Sequence, residues 1–126
     1  MVSILVKKSR IGGSLRCPSS KSYSHRAIAI ASLAERQSTI TNALLARDTL
    51  ATLAGCQALG AEIKHDGATV KVKGKHAFDP PENVVNAENS GTTIRIMTAM
   101  SGLVKTGHTV LTGDESLRKR PMQPIL

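Results

Sequence analysis

The pattern of apolar and polar residues predicts alternating strands and helices in the first half of the chain. Runs of β-branched apolar residues favour strands, and the small apolar stretch at 27–34, broken only by Ser32, is typical of a buried helix. Polar side chains that can cap a helix precede both predicted helices. The elements predicted here are strands at 2–8 and 14–17, a helix at 22–35, a strand at 37–42 and a helix from Asp48, as its N-cap, to just before Gly60.

A β-hairpin is the clearest local prediction for the second half of the chain. Strands at 61–65 and 68–73 flank Asp66-Gly67, a pair that favours a two-residue type I′ turn. Val70 and Val72 are expected to face one side of the strand, with lysines on the other side. The remaining predicted elements are a loop at 75–88, a helix at 91–104, a strand at 108–112 and a helix that starts at Pro121.

A weak internal repeat relates the two halves at a spacing of about seventy residues. Arg26 and Arg95 are each followed by a helix of small residues and then by a strand, at 38–40 and 108–110 respectively. The helix predicted at Pro121 has too few residues to bury an apolar face of its own. We therefore expect the chain to be part of a larger protein or to pack against another chain.

Composition narrows the class of protein. Apolar residues make up 40% of the 126 residues, enough for the core of one domain or part of one. Aromatic residues make up only 2%, which argues against the base-stacking surfaces of RRM and OB domains. Cys17 and Cys56 form no metal-binding motif, so free thiols are expected. A soluble, cytoplasmic protein without a membrane segment follows as the expectation.

The net charge of +8, with a pI near 10.0, predicts anionic partners. Charge alone leaves two classes open, a basic module that binds nucleic acid and a protein that binds small phosphorylated or carboxylated ligands. The lack of aromatic residues and of a nucleic-acid-binding motif disfavours the first class. A P-loop is excluded, because Leu15 and Ser20 stand where that motif requires glycines before Lys21-Ser22.

Basic residues at predicted helix starts are the candidate anion-binding residues. Lys21 and Arg120 each lie where a helix is predicted to begin, although a cation at that end of a helix is unfavourable by roughly 0.3–1 kcal/mol. An anion bound to the free N–H groups of the helix reverses that preference. Gly91 opens a third predicted helix, and its missing Cβ would allow a ligand to approach the backbone.

Three motifs in this order resemble the N-terminal part of the 5-enolpyruvylshikimate-3-phosphate (EPSP) synthase family. The resemblance covers nearly the whole chain. It is weaker to the sister family of UDP-N-acetylglucosamine enolpyruvyl transferases, which usually have Lys-Asn in place of Lys21-Ser22. The motifs are Pro18-Ser19-Ser20-Lys21-Ser22-x-Ser24-x-Arg26, then Asn89-Ser90-Gly91-Thr92-Thr93-x-Arg95, then Gly113-Asp114-x-Ser116-x-Arg118-x-Arg120-Pro121-Met122.

The resemblance implies a reaction of the shikimate pathway, which leads to chorismate and the aromatic amino acids. The enolpyruvyl group of phosphoenolpyruvate is transferred to the 5-hydroxyl of shikimate 3-phosphate, and phosphate is released. No metal and no organic cofactor is expected. The expected partners are these two small anionic substrates and the remaining part of the enzyme, with no nucleic acid and no membrane.

The resemblance also implies roles for individual residues. Lys21 is expected to be catalytic and to contact both substrates. Arg95 and His25 receive no direct role, and no residue of this chain is assigned as general acid or base. The residues assigned to shikimate 3-phosphate are Lys21, Ser22 and Arg26, and those assigned to phosphoenolpyruvate are Lys21, Asn89, Gly91, Thr92 and Arg120.

The fold implied by the resemblance is α/β (α+β), built from repeated βαβαββ units that are incomplete in this chain. Family members have two domains with three such units each, and their buried helices direct their N-termini at the cleft between the domains. Residues 1–18 are expected to form N-terminal strands and a hinge. Residues 19–126 are expected to form the first part of a truncated substrate-binding domain, and the chain is expected to be inactive alone. The alternative function is that of a non-catalytic basic module that binds nucleic acid or a phosphorylated metabolite.

Overall fold

Two helices pack against an antiparallel sheet, and a third helix packs on them, in the computed structural model, which describes residues 2–125. The helices are α1 (Lys21–Ser32), α2 (Arg47–Ala58), α3 (Gly91–Ser101) and α4 (Glu115–Arg118), with a 3-10 turn at Gln123–Ile125. The strands are β1 (Gln37–Ile40), β2 (Glu62–Asp66), β3 (Thr69–Lys73), β4 (Val85–Asn86) and β5 (Leu111–Thr112).

The three-stranded sheet has the order β1–β3–β2, with every pair antiparallel. Val70 and Val72 on the central strand are fully buried while Lys71 and Lys73 are exposed, which confirms the predicted alternation. The predicted turn was wrong by one residue. Asp66 pairs with Thr69, so the turn consists of the two residues between them, and only the first of these, a glycine, has a positive φ. That pattern is typical of a type II′ turn, since a type I′ turn requires positive φ at both positions.

One apolar core joins the helices to the inner face of the sheet. Helices α1, α2 and α3 contribute their buried sides to this core, while Leu117 of α4 packs in a smaller cluster with Ala87 and Ile94. Burial of one large aliphatic side chain stabilises the fold by roughly 1.5–3 kcal/mol. The prediction that the first helix is a buried helix was wrong in part. Ile28 has no exposed surface, but Ile30 is 67% exposed, because only one side of α1 packs against the core. The fully or almost fully buried core side chains include Ile28, Leu53, Cys56, Leu59, Val70, Val72 and Met97.

Strands β4 and β5 pair in parallel on either side of α3 and so form a βαβ unit. The loop predicted at 75–88 was wrong in part, because it contains β4, and the strand predicted at 108–112 is reduced to Leu111–Thr112. A parallel pair is formed by residues distant in sequence, so local composition gives no sign of it. The element order α–β–α–β–β followed by β–α–β–α agrees with the predicted βαβαββ repeat, with the first strand of the first unit missing.

Residues 2–20 contain no strand or helix, so the strands predicted at 2–8 and 14–17 were wrong. A strand requires a neighbour that satisfies its backbone N–H and C=O groups, and β-propensity alone does not supply one. The large apolar side chains of this segment are exposed, as Ile4 and Val6 illustrate with 85% of their surface accessible. None of the helices in the described residues is long and apolar enough to cross a membrane.

Two predicted helix starts were also wrong. Helix α2 begins at Arg47, because the Ala46 N–H donates to Thr49 Oγ1 over 2.8 Å, and Asp48 lies in the first turn instead of capping it. Up to residue 125, no α-helix starts at Pro121, and only the 3-10 turn Gln123–Ile125 follows it. Helix α4 forms before it, because Asp114 accepts a hydrogen bond from the Leu117 N–H over 2.8 Å and caps that short helix.

A chain of buried polar side chains, here called the polar seam, links the three long helices. His25 Nδ1 lies 2.7 Å from Thr52 Oγ1, which lies 2.7 Å from Thr93 Oγ1, and Ser90 Oγ lies 2.7 Å from that same atom. All four side chains are at most 1% exposed. Because a buried polar group without a partner costs roughly 1–3 kcal/mol, the seam fixes the helices relative to one another.

Burial lowers the pKa of His25 below its ordinary value of 6.5, the charge of Asp48 opposes this shift, and the charge of Lys21 adds to it. The folded chain therefore takes up a proton at His25 less readily than the unfolded chain does. Stability from neutral His25 is fully present above about pH 6.5 and is lost as the pH falls toward the lowered pKa.

We predict that the free energy of unfolding falls as the pH drops below about 6.5, with His25 contributing at most roughly 1.4 kcal/mol per pH unit. Urea unfolding across this range would show a flatter pH dependence for His25→Gln than for the wild type. His108→Gln, at an exposed histidine, is the matched control and should keep the wild-type slope. Equal slopes for His25→Gln and the wild type would contradict the prediction.

Candidate anion-binding site

An open pocket of about 620 Å³ lies where α1, α2 and α3 begin. Its wall combines four cationic side chains with one carboxylate and the first residues of α3. The residues that line it are Lys21, Arg26, Asp48, Asn89, Gly91, Thr92, Arg95, Ile96 and Arg120.

The start of α1 places Lys21 at the pocket. Ser20 is the N-cap, since its Oγ accepts a hydrogen bond from the Tyr23 N–H over 3.3 Å, so Lys21 is the first helical residue. Lys21 Nζ lies 2.8 Å from Asp48 Oδ2 in the first turn of α2. The Lys21 side chain is 52% exposed, and a pair this accessible contributes about 0–1 kcal/mol. The ammonium group can therefore turn toward a ligand at little cost.

Arg26 and Ser22 lie on the same side of α1, one helical turn apart, but only Arg26 reaches the pocket. Arg26 lines the pocket and is exposed, whereas Ser22 is exposed but lies outside the pocket wall. The long guanidinium side chain thus extends to the pocket from a position that the short hydroxyl side chain does not span.

The start of α3 brings backbone and guanidinium groups together. Ser90 caps the helix by accepting a hydrogen bond from the Thr93 N–H over 3.1 Å, which makes Gly91 its first residue. A Cβ on Gly91 would lie 2.9 Å from Arg120 Nη1 and 3.0 Å from Arg95 Nη1. The absence of that atom leaves room for both guanidinium groups against the backbone. Arg95 also donates from Nη1 to the Gly91 carbonyl over 2.9 Å.

Arg120 lies after the C-terminal end of α4, not at a helix start as predicted. Its backbone N–H donates to the Leu117 carbonyl over 3.0 Å, so the argument from an unfavourable helix dipole does not apply to it. Its side chain nevertheless reaches the pocket, where Nη2 donates to Asn89 Oδ1 over 2.8 Å. Asn89 in turn donates from Nδ2 to Asp114 Oδ2 over 2.5 Å.

Positive potential dominates the pocket. Lys21, Arg26, Arg95 and Arg120 face a single lining carboxylate, Asp48. The N-termini of α1 and α3 add partial positive charge and free N–H groups. Asn89, and to a lesser extent the Leu117 N–H, hold the pKa of Asp114 below its usual range, so that side chain stays a hydrogen-bond acceptor. This arrangement suits a ligand with more than one negative charge.

Six of the seven predicted site residues meet at this one pocket, and Ser22 is the one that does not. Asp48 and Ile96 were missed as pocket residues, and Arg95 lines the pocket although no direct role was assigned to it. An acidic residue in the first turn of a helix is already favoured by the helix dipole, so the position of Asp48 gave no separate signal of the pocket. Among the described residues, no group of three His, Cys, Asp or Glu side chains is placed to hold a metal ion.

Comparison with known proteins matches residues 5–126 to the EPSP synthase family, described as 3-phosphoshikimate 1-carboxyvinyltransferase. A protein of that name from Nitrosopumilus maritimus is 50% identical over 121 residues, which are 96% of this chain and 28% of the relative. The Methanocaldococcus jannaschii protein of that name is 45% identical over 129 residues, which cover 100% of this chain and 30% of the relative.

A solved structure supports the same assignment. EPSP synthase from Acinetobacter baumannii matches with a TM-score of 0.81 and 35% identity, covering 88% of this chain and 25% of that one. The chain therefore spans less than a third of the length of these relatives. The α/β fold implied by the sequence motifs is confirmed, and the chain belongs to the EPSP synthase family.

Proposed function

We propose that this chain supplies part of the substrate site of an enzyme that transfers the enolpyruvyl group of phosphoenolpyruvate to the 5-hydroxyl of shikimate 3-phosphate. In this transfer the C–O bond of phosphoenolpyruvate breaks, phosphate leaves with that oxygen, and the 5-oxygen of the acceptor bonds to the enolpyruvyl carbon. The proton that the 5-hydroxyl loses balances the charge of the released phosphate. The observation that carries the proposal is the convergence of Lys21, Arg26 and Arg120 on one pocket at the starts of three helices.

The pocket has room for anionic groups of both substrates. Arg120, together with the Gly91 backbone at the start of α3, would hold phosphoenolpyruvate, with Asn89 and Thr92 shaping that end. Arg26 would bind shikimate 3-phosphate through its planar pair of donors. Ser22 is proposed for the same substrate on the sequence motif alone, since it lies outside the pocket wall.

Lys21 lines the same pocket as both groups of residues and would contact both substrates. Its ammonium group lies 2.8 Å from Asp48 at the pocket wall, in an exposed pair that it can leave for a ligand at little cost. A positive charge there stabilises negative charge that gathers as the substrates come together and phosphate departs. We therefore propose Lys21 as the catalytic residue of this portion, while proton transfer at the reacting atoms falls to groups outside this chain.

The exposed N-terminal segment supports the proposed division at residue 18. Apolar side chains at Val2, Leu5 and Leu15 are at least 81% exposed, as expected if residues 1–18 pack on a part of the enzyme beyond residues 19–126. We also propose a cytoplasmic location, because Cys17 and Cys56 are both free thiols, as in reducing compartments.

The first prediction from this proposal concerns the two anchoring cations. In the complete enzyme, Lys21→Ala and Arg120→Ala should each lower turnover by roughly 10²–10³-fold, because each removes positive charge from the reacting anions. Phosphate release in the presence of both substrates measures this loss. Circular dichroism should show an unchanged fold, since both side chains are exposed. The matched control is Lys119→Ala, beside Arg120 but outside the pocket. Normal turnover by Lys21→Ala or by Arg120→Ala would refute the role assigned to that residue.

The second prediction concerns residues 1–126 alone. We expect no phosphate release when the purified chain is mixed with phosphoenolpyruvate and shikimate 3-phosphate, because half of the site and the closure around the substrates are missing. The complete enzyme, assayed in parallel, is the positive control. Release of phosphate by the isolated chain, and its loss in Lys21→Ala, would show that the chain is sufficient and the prediction wrong.

A further inference from the structure

Two loops that leave the β4–β5 pair are joined directly to each other. The Asp114 N–H donates to the Glu88 carbonyl over 2.9 Å, and Glu88 has a positive φ of 54°. A Cβ on Gly113 would lie 2.7 Å from that same carbonyl, so this close approach requires glycine. The loop with Asn89 and Gly91 and the loop with Asp114 are thereby held in a fixed relation.

Asn89 bridges these loops in one orientation. Its Nδ2 donates to Asp114 Oδ2 over 2.5 Å, and its Oδ1 accepts from Arg120 Nη2 over 2.8 Å. A carboxylate can only accept hydrogen bonds and a guanidinium can only donate them. The Asn89 amide therefore cannot turn over without losing both bonds. The second carboxylate oxygen of Asp114 is fixed in turn, because it accepts from the Leu117 N–H over 2.8 Å.

We propose that Asp114 is a positioning residue for Arg120, acting through the orientation of the Asn89 amide. With Asn89 Nδ2 occupied by Asp114, the amide oxygen faces the pocket and holds the Arg120 guanidinium against Gly91. Arg120 is thus ordered before a ligand arrives, and less conformational entropy is lost on binding. The inference rests on the proposed function in one respect, the assignment of phosphoenolpyruvate to Arg120.

A simpler role for Asp114 is that of N-cap for α4 alone, and Asp114→Asn separates the two. Asparagine caps helices about as well as aspartate, so a pure cap would be almost unaffected. The positioning role predicts otherwise. The amide introduced at position 114 would present its NH₂ group to Asn89. The Asn89 amide would then turn to offer its oxygen to that group, and Arg120 would face the Asn89 NH₂ group instead of an acceptor.

The order of the Arg120 side chain tests this without any ligand. In ¹⁵N NMR of the 126-residue chain, the Arg120 Nε–Hε group should be ordered in the wild type. In the Asp114→Asn variant the same group should be as mobile as that of the exposed Arg10. Asn89→Asp combined with Asp114→Asn exchanges donor and acceptor, and should restore the order of Arg120. Asn89→Asp alone sets two carboxylates against each other and is the matched control for the exchange.

Kinetics of the complete enzyme supply the second measurement. Asp114→Asn should raise the KM for phosphoenolpyruvate roughly tenfold or more and change the KM for shikimate 3-phosphate by less than about twofold, because only Arg120 loses a charged hydrogen bond. If Asp114 acted only as a helix cap, Asp114→Asn would not change the KM for one substrate more than the KM for the other. Thermal unfolding of the variant close to that of the wild type would show that the helix cap is kept.

Each outcome decides between the two roles. The inference is overturned if Arg120 is equally ordered in the wild type and Asp114→Asn, or equally mobile in both, or if the exchanged pair fails to restore its order. If the order of Arg120 follows the exchange while the KM for phosphoenolpyruvate stays constant, positioning by Asp114 stands and the assignment of that substrate to Arg120 fails.

Discussion

The structure depends on the polar seam that joins α1, α2 and α3. His25 and Thr52 lie about one turn inside the starts of α1 and α2, and Thr93 lies in the first turn of α3. Thr52 lies 2.7 Å from each of the other two side chains, and all three are shielded from solvent. Apolar packing alone would tolerate sliding of one helix past another, because dispersion and burial have little directional preference. A buried hydrogen bond does not tolerate it, so the seam sets the register in which the three helix starts meet.

The pocket follows from that register. Lys21 and Arg26 flank His25 on α1, Asp48 lies one turn before Thr52 on α2, and Gly91 lies two residues before Thr93 on α3. Each pocket residue is thus placed by a neighbouring seam residue in its own helix. The cationic side chains stay exposed at the pocket while the seam residues that locate them are buried, so the groups that stabilise the fold are separate from those that present positive charge.

The sequence allowed good prediction of elements whose signals are local. The helix at 91–104 is observed at Gly91–Ser101, and the alternation of Val70 and Val72 along β3 is confirmed, because caps and side-chain periodicity act over a few residues. The β4–β5 pair and the missing N-terminal strands depend on distant partners, and no local pattern encodes them. Arg120 was selected for the wrong reason. It was predicted at a helix start, yet it reaches the pocket through Asn89, a contact across 31 positions of the chain.

The use of an amide between Asp114 and Arg120 has an electrostatic consequence. A carboxylate in direct contact with Arg120 would form a strong charge-assisted pair, cancel its positive charge and compete with an anionic ligand for the same donors. The Asn89 oxygen fixes one edge of the guanidinium without cancelling its charge, and the negative charge of Asp114 is held one side chain farther away. Lys21 differs, because its pairing with Asp48 is direct but largely exposed, and solvent weakens it. The pocket thus orders one cation through a neutral group and another through a screened ion pair, and both keep positive charge available to a ligand.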